Sequence, residues 1–208
     1  DGTIVAIGAP NNDGNGSNSG HVRVYQIDLG NWVQLGSDID GEAAGDYSGR
    51  SVSMNSDGTI VAIGADRNDG NGSDSGHVRV FQYFNSNWVQ LGDDINGEAT
   101  NDWSGNSVSL SSDGTKVAIG GYLNDGNGSS SGHVRVYEYS GSSWTQLGAD
   151  IDGEAPEDGI RCLSLNSDGT IVAIGAYKND GNGNMSGHTR IYQYSSDKKS
   201  PIILTLFH

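Results

Sequence analysis

The 208-residue sequence has a single cysteine and only three prolines. One cysteine cannot form a disulfide within the chain, so crosslinks do not hold the fold together. Cys162 stands where other parts of the sequence have Ser51 and Ser107, and this replacement predicts a small buried side chain. No apolar run approaches the 18 residues that a membrane-spanning helix needs, so the sequence predicts no membrane insertion.

Basic residues are also scarce. The chain has 11 lysines and arginines against 26 aspartates and glutamates, which gives a formal charge of −15. Such a surface repels nucleic acid phosphates and anionic membranes, so nucleic acid is excluded as a partner. The charge is compatible with divalent cations, with basic partners, or with solubility alone.

Helical periodicity is absent, and what the chain has instead is a long repeat. The tripeptide Asp-Gly-Thr, followed by an apolar run, recurs at Asp1, Asp57 and Asp113, and the same pattern returns at Asp168. The intervals are 56, 56 and 55 residues, which is typical of propellers and other repeat arrays. We divide the chain, as one repeat domain spanning 1–208, into units of about 1–56, 57–112, 113–167 and 168–208.

Four strand-like segments recur along the chain in the same order. One complete set is GRSVSMNSDG from Gly49, TIVAIGA from Thr59, HVRVFQY from His77 and WVQLGDDI from Trp88. The first segment alternates and ends in a hairpin-turn signal, and the second is apolar throughout, as in a strand buried on both faces. The sequence therefore predicts an all-β protein, a β-propeller of four four-stranded antiparallel blades; a linear β-solenoid is the alternative.

The two ends of the chain depart from this plan. The first unit lacks its innermost strand, and the pattern breaks after Tyr194. We expect residues 202–207 to form either a substitute fourth strand or the missing first strand of blade one, which would close the ring by strand exchange. Pairing of this segment with another copy would give a head-to-tail assembly instead.

The repeated segments resemble the FG-GAP repeats of integrin-like β-propellers, in particular a bacterial and marine subtype with a tryptophan-bearing fourth strand. The matching piece is WVQLGSDIDGEAAGDYSGRSVSMNSDGTIVAIGAPNNDG with its copies, over roughly 1–195. The Phe-Gly of the motif is Ser48-Gly49 here, and Gly-Ala-Pro is intact only at Gly8-Ala9-Pro10. The resemblance implies a non-enzymatic structural or interaction role outside the cell or at its surface. The loop that holds calcium in integrin-type repeats is too short here for that site.

A glycine-rich loop follows the second strand of every unit and has three competing interpretations. It contains N-glycosylation sequons at Asn15, Asn71, Asn127 and Asn184, the last shifted by two residues. Calcium is the candidate cofactor, because oxygen-bearing side chains alternate in the loop. The candidate ligand pairs are Asp13 with Asn15, Asp69 with Asn71, Asp125 with Asn127, and Asp180 with Asn182. In the third interpretation these side chains only satisfy the backbone of their own loop.

Other polar and aromatic residues also recur once per unit, which favours structural roles because a catalytic group is needed only once. The histidines are His21, His77, His133 and His188, predicted to form a hydrogen bond where the third strand opens. The arginines two residues later are predicted to pair with acids of the neighbouring linker. Linker carboxylates could hydrolyse glycosides, but their repetition favours a solvated connection. We expect inter-blade packing from Trp32, Trp88 and Trp144.

No phosphate-binding loop, paired cysteines or nucleophile elbow is present, so we predict that the chain is not an enzyme and assign no catalytic residues. The leading hypothesis is a non-catalytic, extracellular or cell-surface structural or adhesive propeller that is N-glycosylated and self-assembles through its ends into a fibre or coat. Glycans and cell-surface proteins are further candidate partners. The alternative is a multivalent module with one carbohydrate or calcium site per blade.

Overall fold

The computed structural model describes residues 2–194 with their side chains and the backbone of 201–204. In this part of the chain all regular structure is β-strand, and no helix could span a membrane.

The strands fall into four blades. The first blade has β1 (Ile4–Ala9), β2 (His21–Asp28), β3 (Asn31–Gln34) and β4 (Ile39–Asp40), and the second has β5 (Ser51–Met54), β6 (Ile60–Ala65), β7 (His77–Phe84), β8 (Asn87–Gln90) and β9 (Ile95–Asn96). The third has β10 (Ser104–Leu110), β11 (Lys116–Gly121), β12 (His133–Tyr139), β13 (Trp144–Gln146) and β14 (Ile151–Asp152), and the fourth has β15 (Ile160–Leu165), β16 (Ile171–Ala176), β17 (His188–Tyr194) and β18 (Pro201–Leu204).

Within each blade the strands pair antiparallel in chain order, so the predicted all-β propeller of antiparallel blades is confirmed. The predicted fourth strand is in fact two short strands that pair with the same partner. In the second blade β8 pairs with the end of β7, where Tyr83 lies opposite Trp88, and β9 pairs with its beginning, where His77 lies opposite Asn96. Gly92, at φ 77°, turns the chain between the two strands, a conformation that favours glycine.

The structure decides between the two roles predicted for the last strand. The first blade begins with β1, which corresponds to the second strand of the other blades, so its innermost strand is missing. β18 pairs antiparallel with β17 from Tyr194 opposite Pro201 to Ile191 opposite Leu204. It is therefore the substitute fourth strand of the last blade, and the prediction that it completes blade one is wrong. Residues 205–207 of the predicted segment lie outside the described residues.

The apolar core consists of three clusters, one at each junction between successive blades. At the first junction Val22 and Val24 of β2 pack with Val61 and Ile63 of β6. Since side chains alternate along a strand, Ala62 of β6 lies in the next cluster, facing the third blade. Each blade thus has one face that meets the preceding blade and one that meets the following blade.

Small residues in the inner strands let successive blades approach closely. A Cβ atom at Gly64 would lie 2.0 Å from the carbonyl oxygen of Gly105, which belongs to the next blade. The hydroxyl of Ser51 donates a 2.7 Å hydrogen bond to that same carbonyl. The serines and glycines of these strands therefore act at the junctions rather than within one blade.

Cys162 occupies the position of Ser51 in the fourth blade, and its side chain is exposed. The prediction that it is buried is wrong. The position faces the following blade, and no blade follows the fourth in the described part of the chain.

Candidate functional site

The glycine-rich loops satisfy most of their own hydrogen bonds. In the second unit Asp69 Oδ1 accepts a 2.8 Å hydrogen bond from the amide of Asp74. Ser75 Oγ accepts from the amide of Asn71 at 3.2 Å and donates to the carbonyl of Asn68, also at 3.2 Å. The aspartates of the other loops accept the same backbone bond: Asp13 from Asn18, Asp125 from Ser130, and Asp180 from Met185. The aspartates considered as calcium ligands therefore cap their own turns.

The asparagines of these loops hold the linker that leads to the next blade. Asn71 Nδ2 donates to the carbonyl oxygens of Gly97 and Glu98, at 2.8 and 3.0 Å. Asn15 and Asn127 make the equivalent pair of bonds to their own linkers. The loops thus present amide hydrogens to the linker at these positions.

The same nitrogen is the atom to which an N-linked glycan would be attached. At Asn15, Asn71 and Asn127 both of its hydrogens are used in the folded chain, whereas a glycosylated nitrogen keeps only one. Asn184 differs, because its side chain is exposed and Asn182 holds the loop position of the other three. The geometry thus favours Asn184 over the other three sequons as an acceptor.

The linkers are less solvated than their acidity predicts. Asp102 is buried, and its Oδ2 accepts hydrogen bonds from the amides of Ala99 and Glu98, at 2.8 and 3.2 Å. Asp46 and Asp158 are buried in the same way. These aspartates fix the linker turn, while the glutamate of each linker remains exposed.

The third-strand arginines reach back to the preceding linker, as predicted. Arg79 Nη2 donates to the carbonyl of Asp40 at 2.7 Å, and its Nη1 lies 3.5 Å from Glu42 Oε1. Arg135 and Arg190 repeat this arrangement one and two junctions later. Arg23 has no preceding linker and instead forms a two-pronged pair with Asp38 of its own blade. The neighbouring repeat therefore decides which partner the arginine takes.

Two of the histidines, His77 and His133, do not form the predicted strand-opening hydrogen bond. His77 and His133 are each 1% exposed, and the Nδ1 atom of each lacks a hydrogen-bond partner in the described part of the chain. Each Nδ1 faces two carboxylates, one from its own blade and one from the preceding linker. The prediction is wrong at these two residues because burial removes the nitrogen from water, while the carboxylate oxygens stay 3.7–3.9 Å away, beyond hydrogen-bond distance.

A row of aromatic and cationic side chains crosses the blades where the repeat is least regular. This aromatic strip consists of Tyr47, Arg67, Trp103, Tyr122 and Tyr177. The Arg67 guanidinium lies 4.4 Å from the Trp103 ring centre and 5.5 Å from that of Tyr47. The Trp103 and Tyr122 centroids are 6.0 Å apart, and the Tyr122 and Tyr177 hydroxyls lie 2.7 Å from each other. The first three side chains line a hollow of about 210 Å³.

Two members of the strip have an unusual backbone. Tyr47 and Trp103 adopt φ of 55° and 52°, a left-handed conformation that costs energy for a bulky residue. Gly159 takes the same position in the next unit, at φ 58°. Sequence reasoning did not identify the strip, and the signal available was the change from tyrosine to tryptophan to glycine at one repeat position.

The outer faces of the first and last blades lack the neighbours that internal blades have. Ile7 is 50% exposed, whereas Ile63 and Ile119 at the same position of the next blades are 1% and 0% exposed. At the other end Thr189 is exposed, although Val134 at its position in the third blade is buried. We call these surfaces the leading face of the first blade and the trailing face of the fourth.

The tryptophans also differ between internal junctions and the leading face. Trp88 packs into the first junction and Trp144 into the second, and the indole of each donates to a carbonyl of the preceding blade. Trp32, on the leading face, is 51% exposed.

Comparisons with known proteins agree with this architecture. Among solved structures, a putative 6-phosphogluconolactonase from Bacteroides uniformis superposes with a TM-score of 0.62 at 12% identity, over 89% of this chain and 47% of that one. Hydrazine synthase from Kuenenia stuttgartiensis gives a TM-score of 0.55 at 11% identity, over 90% of this chain and 45% of that one. At such identities the likeness concerns the fold alone, and this chain spans less than half of either protein.

A family profile matches two segments of the sequence. No curated protein matches the sequence. Residues 39–81 and 96–137 match the profile of the FG-GAP repeat, and they cover the first two linkers with the blades that follow them. These two segments are therefore FG-GAP repeats, as the resemblance of the sequence predicted.

Proposed function

We propose that this protein is a non-catalytic, extracellular structural repeat protein that assembles by stacking the trailing face of one copy onto the leading face of another. The observation that carries the proposal is the exposure of Ile7, a side chain whose counterparts in the next blades are buried at the junctions. An apolar residue that is built for a junction but lies open to water favours association.

Except for the inner strand that the first blade lacks, the two faces correspond to the two sides of a junction used three times within the chain. At the first junction Trp88 donates to the carbonyl of Leu35, and the amide of Leu35 bonds to Val24. In the fourth blade Leu204 lies opposite Ile191, which is the counterpart of Val24. By this register the carbonyl of Leu204 is the counterpart of that of Leu35, which supports it as the acceptor for Trp32 of a second copy.

Such a contact joins two different faces, so it is head-to-tail. It closes into a ring when the rotation between copies sums to a full turn and otherwise extends into a fibre. The solved proteins with the same fold are about twice as long in the aligned comparison, which supports an arc of four blades with room for more. A fibre or coat built this way would be acidic and carry four glycine-rich loops per copy.

The non-catalytic part of the proposal rests on repetition. The buried histidine, its two carboxylates and the arginine recur at successive junctions with the same contacts, as expected of scaffold. The extracellular location rests on the FG-GAP family, whose repeats are typically extracellular, and an adhesive role would follow from the same assembly.

Light scattering on size-exclusion fractions tests the assembly. We expect the wild-type chain to associate as its concentration rises and Ile7→Glu to remain monomeric, because a charge on the leading face would be desolvated in the contact. Val89→Glu is the matched control, since Val89 is exposed in an internal blade and belongs to no junction core. A wild-type chain that stays at 21.7 kDa at every concentration, or an Ile7→Glu variant that associates normally, would overturn the proposal.

A second candidate function, carbohydrate binding, is favoured by the aromatic strip. Sugars stack on exposed aromatic rings. Trp103 lies beside Arg67 and lines the hollow in the aromatic strip. A glycan array would show binding that Trp103→Ala abolishes and Trp32→Ala, away from the strip, retains. An array without any bound glycan would remove this candidate.

A further inference from the structure

At two successive blade junctions a buried imidazole nitrogen faces two carboxylates and has no hydrogen-bond partner among the described residues. At the first junction His77 Nδ1 lies 3.9 Å from Glu42 Oε2 and 3.7 Å from Asp94 Oδ2. His77 and Asp94 belong to the second blade, whereas Glu42 comes from the linker that precedes it. The three ligand atoms all lie within 4.8 Å of one another.

These separations are too long for hydrogen bonds, which require about 2.7–3.2 Å between nitrogen and oxygen. They are close to the spacing of two ligands on one metal ion. With bonds of about 2.0–2.1 Å, the edge of a coordination tetrahedron is about 3.3 Å. The two distances to Nδ1 exceed that edge by about 0.4–0.6 Å, and the partly exposed carboxylates can move closer.

The second oxygen of each carboxylate is held by another side chain. Gln90 Nε2 donates to Asp94 Oδ1 at 2.7 Å, and Arg79 Nη1 lies 3.5 Å from Glu42 Oε1. These contacts orient the remaining oxygens toward His77 Nδ1. Partners that orient ligands from outside are a general feature of protein metal sites.

The next junction repeats the arrangement with different residues. His133 Nδ1 lies 3.7 Å from both Glu98 Oε2 and Asp150 Oδ2. Gln146 Nε2 donates to Asp150 Oδ1 at 2.6 Å, and Arg135 Nη1 lies 3.6 Å from Glu98 Oε1. The unpartnered nitrogen is therefore a property of the junction and not an accident at one histidine.

A neutral imidazole can offer a nitrogen lone pair to a cation, and neither Nδ1 atom uses that lone pair in a hydrogen bond with the described residues. A protonated imidazole held by two ion pairs is the competing explanation, and it predicts no metal binding.

We propose that each of these junctions binds one divalent transition-metal ion of the zinc class, through a histidine, the glutamate of the preceding linker and the aspartate of its own blade. The sites are His77 with Glu42 and Asp94, and His133 with Glu98 and Asp150. The carboxylates are partly exposed, so water completes the coordination. Imidazole suits zinc and its neighbours, whereas calcium takes oxygen ligands only.

The end blades show why the neighbouring linker matters. His21 has Asp38 and Asp40 nearby, but all three belong to one blade, and Arg23 occupies both oxygens of Asp38. His188 has Glu154 at 3.5 Å, and no carboxylate among the described residues takes the place of Asp94. The described residues therefore form two complete sites that span a junction.

Because each site takes ligands from two successive repeats, a bound ion links one blade to the next. A ligand that binds only the folded state stabilises it by mass action, so zinc should raise the unfolding temperature. This property concerns internal junctions and does not depend on whether copies of the chain assemble.

Zinc binding is tested by equilibrium dialysis of chelator-treated protein, with the metal content measured by mass spectrometry. We expect about two zinc ions per wild-type chain, one in Glu42→Gln or Glu98→Gln, and none in the double variant. Glu154→Gln, which alters the equivalent glutamate of the incomplete site, should leave two. All three glutamates are exposed, so these variants are expected to fold. Unchanged stoichiometry in the double variant, or no zinc on the wild-type chain, would overturn the proposal.

Thermal unfolding gives a second readout with the same variants. Zinc should raise the melting temperature of the wild-type chain and of Glu154→Gln but not that of the double variant. A tenfold excess of calcium should neither reproduce the shift nor displace zinc. Displacement by calcium would contradict a site that depends on an imidazole nitrogen.

Discussion

The indole nitrogen of Trp88 donates a 2.8 Å hydrogen bond to the carbonyl oxygen of Leu35, across the junction between the first two blades. Trp144 makes the same bond to Leu91 at 2.7 Å, across the next junction. The acceptor carbonyl lies in the stretch after the short strand of the preceding blade, where no strand covers it. Each tryptophan therefore makes an apolar contact across the junction and also donates a hydrogen bond to a backbone carbonyl that would otherwise be unpaired.

Replacing this indole should destabilise the fold. Trp88→Phe keeps an aromatic ring but leaves the carbonyl of Leu35 without its donor, which we expect to cost about 1–3 kcal/mol of unfolding free energy. Chemical denaturation measures the loss. Trp32→Phe, at the exposed counterpart, should change stability by less than about 0.5 kcal/mol when the protein is dilute. Equal losses in the two variants would show that the cross-junction bond contributes nothing.

The four sequons should differ in glycan occupancy. Secretion from a eukaryotic host followed by peptide mass spectrometry should find glycan on Asn184 and not on Asn15, Asn71 or Asn127, whose Nδ2 atoms each bond two linker carbonyls. Folded protein with full occupancy of the first three would contradict this assignment.

The same bonds predict a difference in stability. Asn71→Ala should cost about 1–3 kcal/mol, because two carbonyls of the second linker lose their donor. Asn184→Ala, at an exposed site, should have little effect. Urea denaturation of unglycosylated protein from a bacterial host compares the two without interference from sugar.

The first blade should weaken in acid through one ion pair. The hydrogen bonds from Arg23, then those from Gln34, hold the pKa of Asp38 at about 2, below its usual 3.8. A carboxyl with a lowered pKa in the folded state stabilises the protein above its unfolded-state pKa. This contribution is lost as the pH falls from about 4 through about 2. The difference in urea midpoint between wild type and Asp38→Asn should therefore be largest near neutral pH and shrink toward pH 2.

A charge control accompanies that measurement. Asp28→Asn removes one negative charge from the same blade without touching the pair between Arg23 and Asp38. If the urea midpoint of Asp38→Asn falls with decreasing pH as steeply as that of wild type, the ion pair does not contribute to stability.

The repeat made the strands and their order predictable, because periodic β-branched runs and hairpin turns are local signals. The split of the fourth segment into β8 and β9 was not predictable from the sequence, because a glycine such as Gly92 is equally typical of a loop. The partners of His77 also escaped prediction, because Glu42 lies in another unit and reaches the ring only once two blades are stacked. The aromatic strip was missed because its side chains come from different units and meet only once the blades are stacked. Sequence therefore predicted what lies within a blade better than what lies between blades.

The exposed thiol of Cys162 offers a direct measure of whether the trailing face is covered. In internal blades this position meets the following blade, as Ser51 does through its bond to Gly105. We expect a thiol reagent to label Cys162 rapidly in dilute native protein, and the labelling rate to fall as concentration rises and copies stack. Ile7→Glu should remove that protection, because the substitution lies on the opposite face of the partner copy. A labelling rate that does not change with concentration in the wild type would place the association, if light scattering finds one, on another surface. Slow labelling in dilute protein would instead contradict the exposure of the trailing face itself.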